Sequence, residues 1–197
     1  MKKDKRIKNI KSTILSHFWG KLERIDFDFK FKSGHWKRLS HETYGKSDGV
    51  AILLYNNVSK KVLLTRQFRI PVYISGVSNG VSIEVCGGTI DAGESPEASV
   101  IRETKEELGY HISNLKAVNT VFLSPGIVRE RAHLFIGNYT DADKIDDGGG
   151  LEIENEEIEV MEITFNKALE MIDLEEIIDA RTIMLLQYLQ ILKSTEE

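Results

Sequence analysis

The stretch Gly88-Thr-Ile-Asp-Ala-Gly-Glu94, followed by Arg102-Glu-Thr-Lys-Glu-Glu-Leu-Gly109, constrains this chain more than any other feature. Ser95 is suited to cap a helix, Pro96 suits its first position, Glu97 complements the dipole, and Gly109 can terminate it. On a 100° wheel Ala98, Ile101, Thr104 and Leu108 share one face. Glu103, Glu106 and Glu107 occupy the opposite face. Like charges at i,i+4 repel by a few tenths of a kcal/mol per pair, about 0.3, so such an acidic surface is locally unfavourable. Bound divalent cations relieve that repulsion, and cations held there point to phosphate chemistry.

Glu103 and Glu107 stand one turn apart and can share a cation. Arg102 precedes Glu106 by four positions and can orient it through an ion pair. Gly87-Gly88 lets the backbone approach the same acids and offers carbonyl ligands. An all-oxygen donor set without nearby Cys or His favours Mg²⁺ or Mn²⁺ over zinc.

The spacing G-x5-E-x7-R-E-U-x-E-E-x-G-U resembles the Nudix box, here Gly88, Glu94, Arg102, Glu103, Thr104, Glu106, Glu107, Gly109 and Tyr110. Thr104 and Tyr110 are loose matches at aliphatic positions. The resemblance implies an α+β fold: the Nudix α/β/α sandwich with a mixed β-sheet. It also implies hydrolysis of a nucleoside diphosphate linked to a second moiety. Glu103 and Glu107 are then expected as metal ligands and Gly87 as a carbonyl donor. Glu107 and Glu106 are expected to be catalytic. From the acidic loop, Glu156 is the first choice and Glu154 the second for a general base, with Glu156 also a metal ligand.

Pro125, in Ser124-Pro-Gly126, lies sixteen residues after Gly109 and resembles the ADP-ribose and nucleotide-sugar branch. Over most of its length the chain is similar to bacterial GDP-mannose hydrolases of the NudK type. The likeness includes Ile14-Leu-Ser16, Ala51 to Asn56, Arg66-Gln-Phe-Arg69, Gly148-Gly-Gly150 and Glu157-Ile-Glu-Val160. It implies that Trp19 stacks near the nucleotide and that Arg66 holds the diphosphate, with Arg69 beside it. It also implies that Glu130 contacts sugar or base and that Arg181 is a cation near the substrate. GDP-mannose is the first substrate expected and ADP-ribose the second. A sensing module without turnover is the alternative from another class, and no G-x4-G-K-[ST] supports a P-loop enzyme. The same resemblance implies a homodimer, with residues 1–46 as a β extension exchanged between subunits and 47–197 as the hydrolase domain. Ser40-His41-Glu42 takes the place of the strand that reaches the partner's site.

The rest of the chain fits this frame. At 197 residues, 41% hydrophobic and 29% charged, it is long enough for one domain with an elaborated terminus. A net charge of −5 offers nothing to a nucleic acid. Cys86 is the single cysteine, which excludes an internal disulfide and a Cys-based zinc site and suits a reducing compartment. No signal-peptide pattern follows the basic start, and the apolar run Val50–Tyr55 is too short to span a bilayer, so a cytoplasmic location is expected.

Strand signals cover 25–31, 35–44, 50–55, 62–68, 81–86, 115–123, 132–139 and 158–165. Residues 7–19 read as a strand or a short helix. Residues 71–80 read as a loop, and further helices are expected at 166–172 and 180–193. His41 and His133 could act as bases in principle; His133, within a strand, reads as structural.

Overall fold

A computed structural model describes residues 5–195, except for the side chain of Glu154. The chain divides into two compact units, one of residues up to 47 together with 122–131, the other of 48–121 and 132 onward.

The first unit is built on an antiparallel meander of β1 (Ile7–His17), β2 (Lys21–Lys30) and β3 (Trp36–Gly45), with β2 in the centre. The ambiguous segment at 7–19 is therefore a strand. Pairing with β2 from Ile7–Phe29 to His17–Lys21 decides it, with register shifts between Lys8 and Lys11 and between Ile14 and Ser16. Residues 122–131 join this unit through backbone hydrogen bonds of Tyr44 with Ile127 and Arg129. Arg129 Nη2 also meets Glu23 at 2.7 Å.

In the second unit β4 (Gly49–Asn56) lies between β5 (Lys61–Phe68) and β8 (Arg131–Asn138). It pairs antiparallel with β5 and parallel with β8. Strand β6 (Val81–Glu84) takes over from β4 along one edge of β5, β9 (Ile158–Thr164) occupies the other edge, and β7 (Leu115–Phe122) lies beyond β8.

Strand β4 is buried on both faces, which its unbroken apolar run requires. Ala51, Leu53 and Tyr55 pack with Ala168, Met171, Leu185, Leu186 and Leu189, from α3 (Phe165–Asp173) and α4 (Ala180–Ser194). Val50, Ile52 and Leu54 point the other way, onto Val100 and Leu108 of the acidic helix. The result is the expected three-layer α/β/α sandwich around a mixed sheet. Fully burying one such aliphatic side chain stabilises by about 1.5–3 kcal/mol, so both faces contribute substantially.

The helix starts are legible in the sequence. Ser95 Oγ accepts from Ala98 N–H at 3.2 Å and begins α2 (Pro96–Glu103). Thr164 caps α3 and Asp179 caps α4 in the same way. Each cap contributes about 1 kcal/mol.

Three local expectations need correction. The acidic helix does not remain α-helical to Gly109: Thr104–Leu108 form a π turn, in which Thr104 Oγ1 donates to the Val100 carbonyl at 2.7 Å. Residues 71–80 are not all loop, because α1 (Ile70–Ile74) forms with Pro71 in its first turn, where the missing N–H costs nothing. Strand β6 stops at Glu84 rather than 86, since Val85 N–H is taken by Thr182 Oγ1 at 2.8 Å.

Candidate active site

The wheel puts Glu103 and Glu107 on the face away from the core, yet both are buried, 6% and 2% exposed. Two glycine segments pack against this stretch of helix, the first against its carboxylates and the second against its backbone. A Cβ on Gly88 would collide with the Glu103 carboxylate, and one on Gly87 with the Val50 carbonyl, so only glycine permits this close approach. Gly87 N–H donates to Glu107 Oε2 at 3.0 Å. The Gly88 carbonyl is taken by Val50 N–H at 2.9 Å, whereas the Gly87 carbonyl accepts no hydrogen bond among the described residues.

The second segment is the run Gly148–Gly150, three consecutive glycines at φ +65°, +113° and +78°. Gly149 and Gly150 N–H groups donate to the carbonyls of Glu107 and Glu106 at 2.9 and 3.1 Å. This strap leads directly to Glu156, whose Oε2 accepts from Leu151 N–H at 3.2 Å.

Arg102 gathers the remaining acids. Its Nη1 donates to Glu106 at 2.9 Å, and its Nη2 reaches Glu103 at 3.0 Å, Glu94 at 3.3 Å and the Thr89 carbonyl at 3.3 Å. Glu107 has no cationic partner within ion-pair distance among the described residues. Burial pushes its carboxyl up to about 8, against the Gly87 N–H and the Cys86 thiol that favour the anion. Burial also raises Glu103 to about 7, opposed by Arg102. The Glu156 carboxylate raises both further, so the three acids lie in one another's field.

Buried carboxylates short of positive charge fit a divalent cation, which would replace the missing counter-charge. No group of three or more His, Cys, Asp or Glu side chains among the described residues forms a ready-made metal cage.

The NUDIX domain model matches residues 45–185. The chain belongs to the NUDIX family. The model for the N-terminal domain of the GDP-mannose pyrophosphatase NudK matches residues 6–44. The chain is similar to the GDP-mannose pyrophosphatase of Salmonella typhimurium (strain LT2), 41% identical over 92% of this chain and 93% of that one. The Cronobacter sakazakii GDP-mannose pyrophosphatase is 42% identical over 92% and 94%. A crystal structure of an ADP compounds hydrolase superposes with a TM-score of 0.71 at 17% identity, covering 96% and 94% of the two chains, a likeness of fold.

The NUDIX helix and its glycine segments thus bring together Gly87, Glu103, Glu106, Glu107 and Glu156. The other expected site residues are distributed differently. Arg66 alternates with Val62 and Leu64 on the α3/α4 side of the sheet, away from the NUDIX helix. There it pairs with Glu159 at 3.2 Å and borders a cavity of about 410 Å³ with Met161, Met171 and Glu176. The structure does not bring Arg66 to the acids.

Arg69 and Arg181, by contrast, converge on one buried carboxylate, Glu84, at 2.9 and 2.6 Å. The positive charge of Arg69 is favoured first by Glu84 and additionally by Glu107. Trp19, Pro125 and Glu130 belong to the first unit and are exposed; the Lys46 ammonium lies 4.9 Å from the Trp19 ring centre. His41 sits edge-on to Phe27, and His133 bonds Thr120 Oγ1 at 3.1 Å.

Sequence reasoning passed over Glu84 and the role of Gly148–Gly150. The signals were present: a lone acid inside the strand run Val81–Cys86, and three glycines in succession.

Proposed function

We propose that this NUDIX protein is a Mg²⁺-dependent hydrolase of GDP-mannose, yielding GMP and mannose 1-phosphate. The observation that carries the hydrolytic reading is the pair of buried acids, Glu103 and Glu107, of which Glu107 has no cation within ion-pair distance among the described residues. The choice of sugar nucleotide is supported by GDP-mannose pyrophosphatases about two-fifths identical over nearly the whole chain.

Glu103 and Glu107 would hold the metal together with the Gly87 carbonyl. When bound, Mg²⁺ supplies charge neutralisation at the diphosphate and acidifies a water. Arg102 holds Glu106 and Glu103 in place, so the acids cannot swing apart. Glu156, on a loop strapped to the NUDIX helix, accepts the proton from water as its oxygen attacks phosphorus. The bond from that phosphorus to the bridging oxygen breaks, and the second phosphate leaves with the electron pair. Arg69 and Arg181 hold the diphosphate through charge-assisted hydrogen bonds, in the bound substrate as in the transition state. Glu154 is the second choice as base.

The protein acts in this reading as a cytoplasmic homodimer, with residues 1–46 exchanged between subunits. Ile10, Ile14 and Phe18, on and just beyond the edge strand β1, are exposed, Phe18 at 98%, as expected of a strand that meets a partner. No helix among the described residues is long and apolar enough to cross a membrane.

The test is chromatography of products from GDP-mannose and Mg²⁺. GMP and mannose 1-phosphate, absent with Glu107→Gln, support the proposal. Intact GDP-mannose alongside cleaved ADP-ribose overturns the substrate choice. Tight binding of sugar nucleotides without any cleavage replaces the enzyme with a sensor. Light scattering of the eluting protein decides the dimer.

A further inference from the structure

Glu84 takes no part in the chemistry above, yet it is among the most buried charges of the molecule, 4% exposed. Its carboxylate receives three guanidinium nitrogens. Oε1 accepts from Arg69 Nε at 2.9 Å, and Oε2 accepts from Arg69 Nη2 at 2.9 Å and Arg181 Nη2 at 2.6 Å. The three residues come from separate parts of the fold. Arg69 sits between β5 and α1, Glu84 ends β6, and Arg181 is in the first turn of α4.

The carboxylate is fixed at its root. The Glu84 carbonyl accepts from Thr65 Oγ1 at 3.2 Å, and the next N–H donates to Thr182 Oγ1 at 2.8 Å. Thr182 in turn donates to Asp179, which also receives Arg181 Nε at 3.2 Å. Both guanidiniums are therefore gripped through Nε and Nη2. The Nη1 group of each carries no partner among the described residues.

One arginine is enough to neutralise a buried glutamate. A second, brought by α4 onto the same carboxylate, is shared between Glu84 and Asp179, so both guanidiniums are held in fixed orientation. Two guanidiniums fixed by one fork, each with Nη1 left over, match a ligand bearing two adjacent phosphates, for which arginine's planar donors are suited. Glu84 lies three residues before Gly87, whose N–H donates to Glu107 at 3.0 Å, so the fork and the acids border one stretch of chain.

We infer that Glu84 is a positioning residue that locks Arg69 and Arg181 into a single two-guanidinium clamp for the diphosphate of the substrate. The inference rests on the hydrolase reading above and extends it to a group that touches neither metal nor substrate. Glu84 acts through the orientation of its two partners.

Glu84→Gln keeps the shape and removes the charge and the fork. With the fold verified by thermal melting, KM for GDP-mannose rises at least about tenfold while kcat stays within about threefold. The inhibition constant of inorganic pyrophosphate rises in parallel, and Mg²⁺ affinity is unchanged. In the Glu84→Gln background, Arg181→Ala costs less than it does alone, a coupling that a merely structural acid would not produce. An unchanged KM in folded Glu84→Gln, or fully multiplicative effects of the two substitutions, overturns the inference. Should Glu84→Gln fail to fold, Glu84→Asp, with charge kept and reach shortened, is read by the same criteria.

Failure of the wild type to cleave any sugar nucleotide would refute the function alone. Calorimetry with pyrophosphate then decides the clamp: binding that weakens about tenfold in the variant supports it, and binding that is absent or equal in both proteins refutes it.

Discussion

Glu107 Oε2 accepts the Gly87 N–H at 3.0 Å, and this is the only hydrogen bond to backbone that the most buried acid of the site receives among the described residues. A single N–H leaves a desolvated carboxylate far from satisfied. Without metal, the fold carries this acid as a cost; in the proposed hydrolase it would be a ligand.

Replacing Glu107 by Gln should therefore separate stability from activity. The amide still accepts from Gly87, and the uncompensated charge is gone. The metal-free melting temperature is expected to equal or exceed that of the wild type, while kcat falls by about a thousandfold or more through the lost metal ligand. Calorimetric melting in EDTA and a product assay in Mg²⁺ check the two halves.

Stability without metal should decline with rising pH. Burial raises Glu107 to about 8 and Glu103 to about 7 from an unfolded value of 4.5. Below 4.5 both states hold the protons and nothing is lost. Above it the unfolded chain releases them first, so folding is progressively penalised until the folded pKa values are passed. Each pH step traversed by one such group costs up to about 1.4 kcal/mol. Denaturant titrations in EDTA from pH 5 to 8 should show this slope, and saturating Mg²⁺ should flatten it. Mg²⁺ binding at pH 7 should also release protons, read as a dependence of binding heat on buffer ionisation enthalpy.

Gly88→Ala tests the first cover. Its methyl would meet the Glu103 carboxylate, held from its other side by Arg102. The acid must shift, and a shift of about 1 Å costs on the order of a hundredfold in rate. Mg²⁺ titrations and kcat/KM should both report the loss, with the fold intact by circular dichroism.

The two arginines of the Arg66-Gln-Phe-Arg69 run should differ sharply. Arg69→Ala is expected to lower kcat/KM about ten- to a hundredfold, since it removes a charge-assisted contact to phosphate. Arg66→Ala, on the far face with Glu159, should stay within about threefold, because an exposed pair contributes little. Equal losses would place the diphosphate elsewhere.

Period-two runs announce strands, and β4 declares its central place through unbroken apolarity from Val50 to Tyr55. Ser95, Pro96 and Gly109 bracket the acidic helix because caps are local chemistry. The π turn at Thr104–Leu108 was not legible, since it depends on which carbonyl each N–H finds once the strap has docked. Nor was the side to which Arg66 and Arg69 point. Their odd offset sets the two on opposite faces of an extended chain, but which face lies over the acids depends on how the sheet packs. Burial of Glu103 and Glu107 escaped the helical wheel for a similar reason. A wheel compares residues of one helix with each other, and these acids are met by Gly87 and Gly88 from a remote loop.

The strap from Gly148 to Gly150 has one more consequence. Ile158 N–H returns to the Gly149 carbonyl at 3.0 Å, so residues 150–157 leave and rejoin the body at the same point. A loop closed at its neck can lengthen at a cost that grows only with the logarithm of its size. Its outer residues can be rewritten, and its length changed, without disturbing the turn of helix to which the neck is tied. Neck and tip are therefore separable here: a graft at Glu152 and Ile153, which spares Glu154 and Glu156, leaves the neck and the turn of helix tied to it in register.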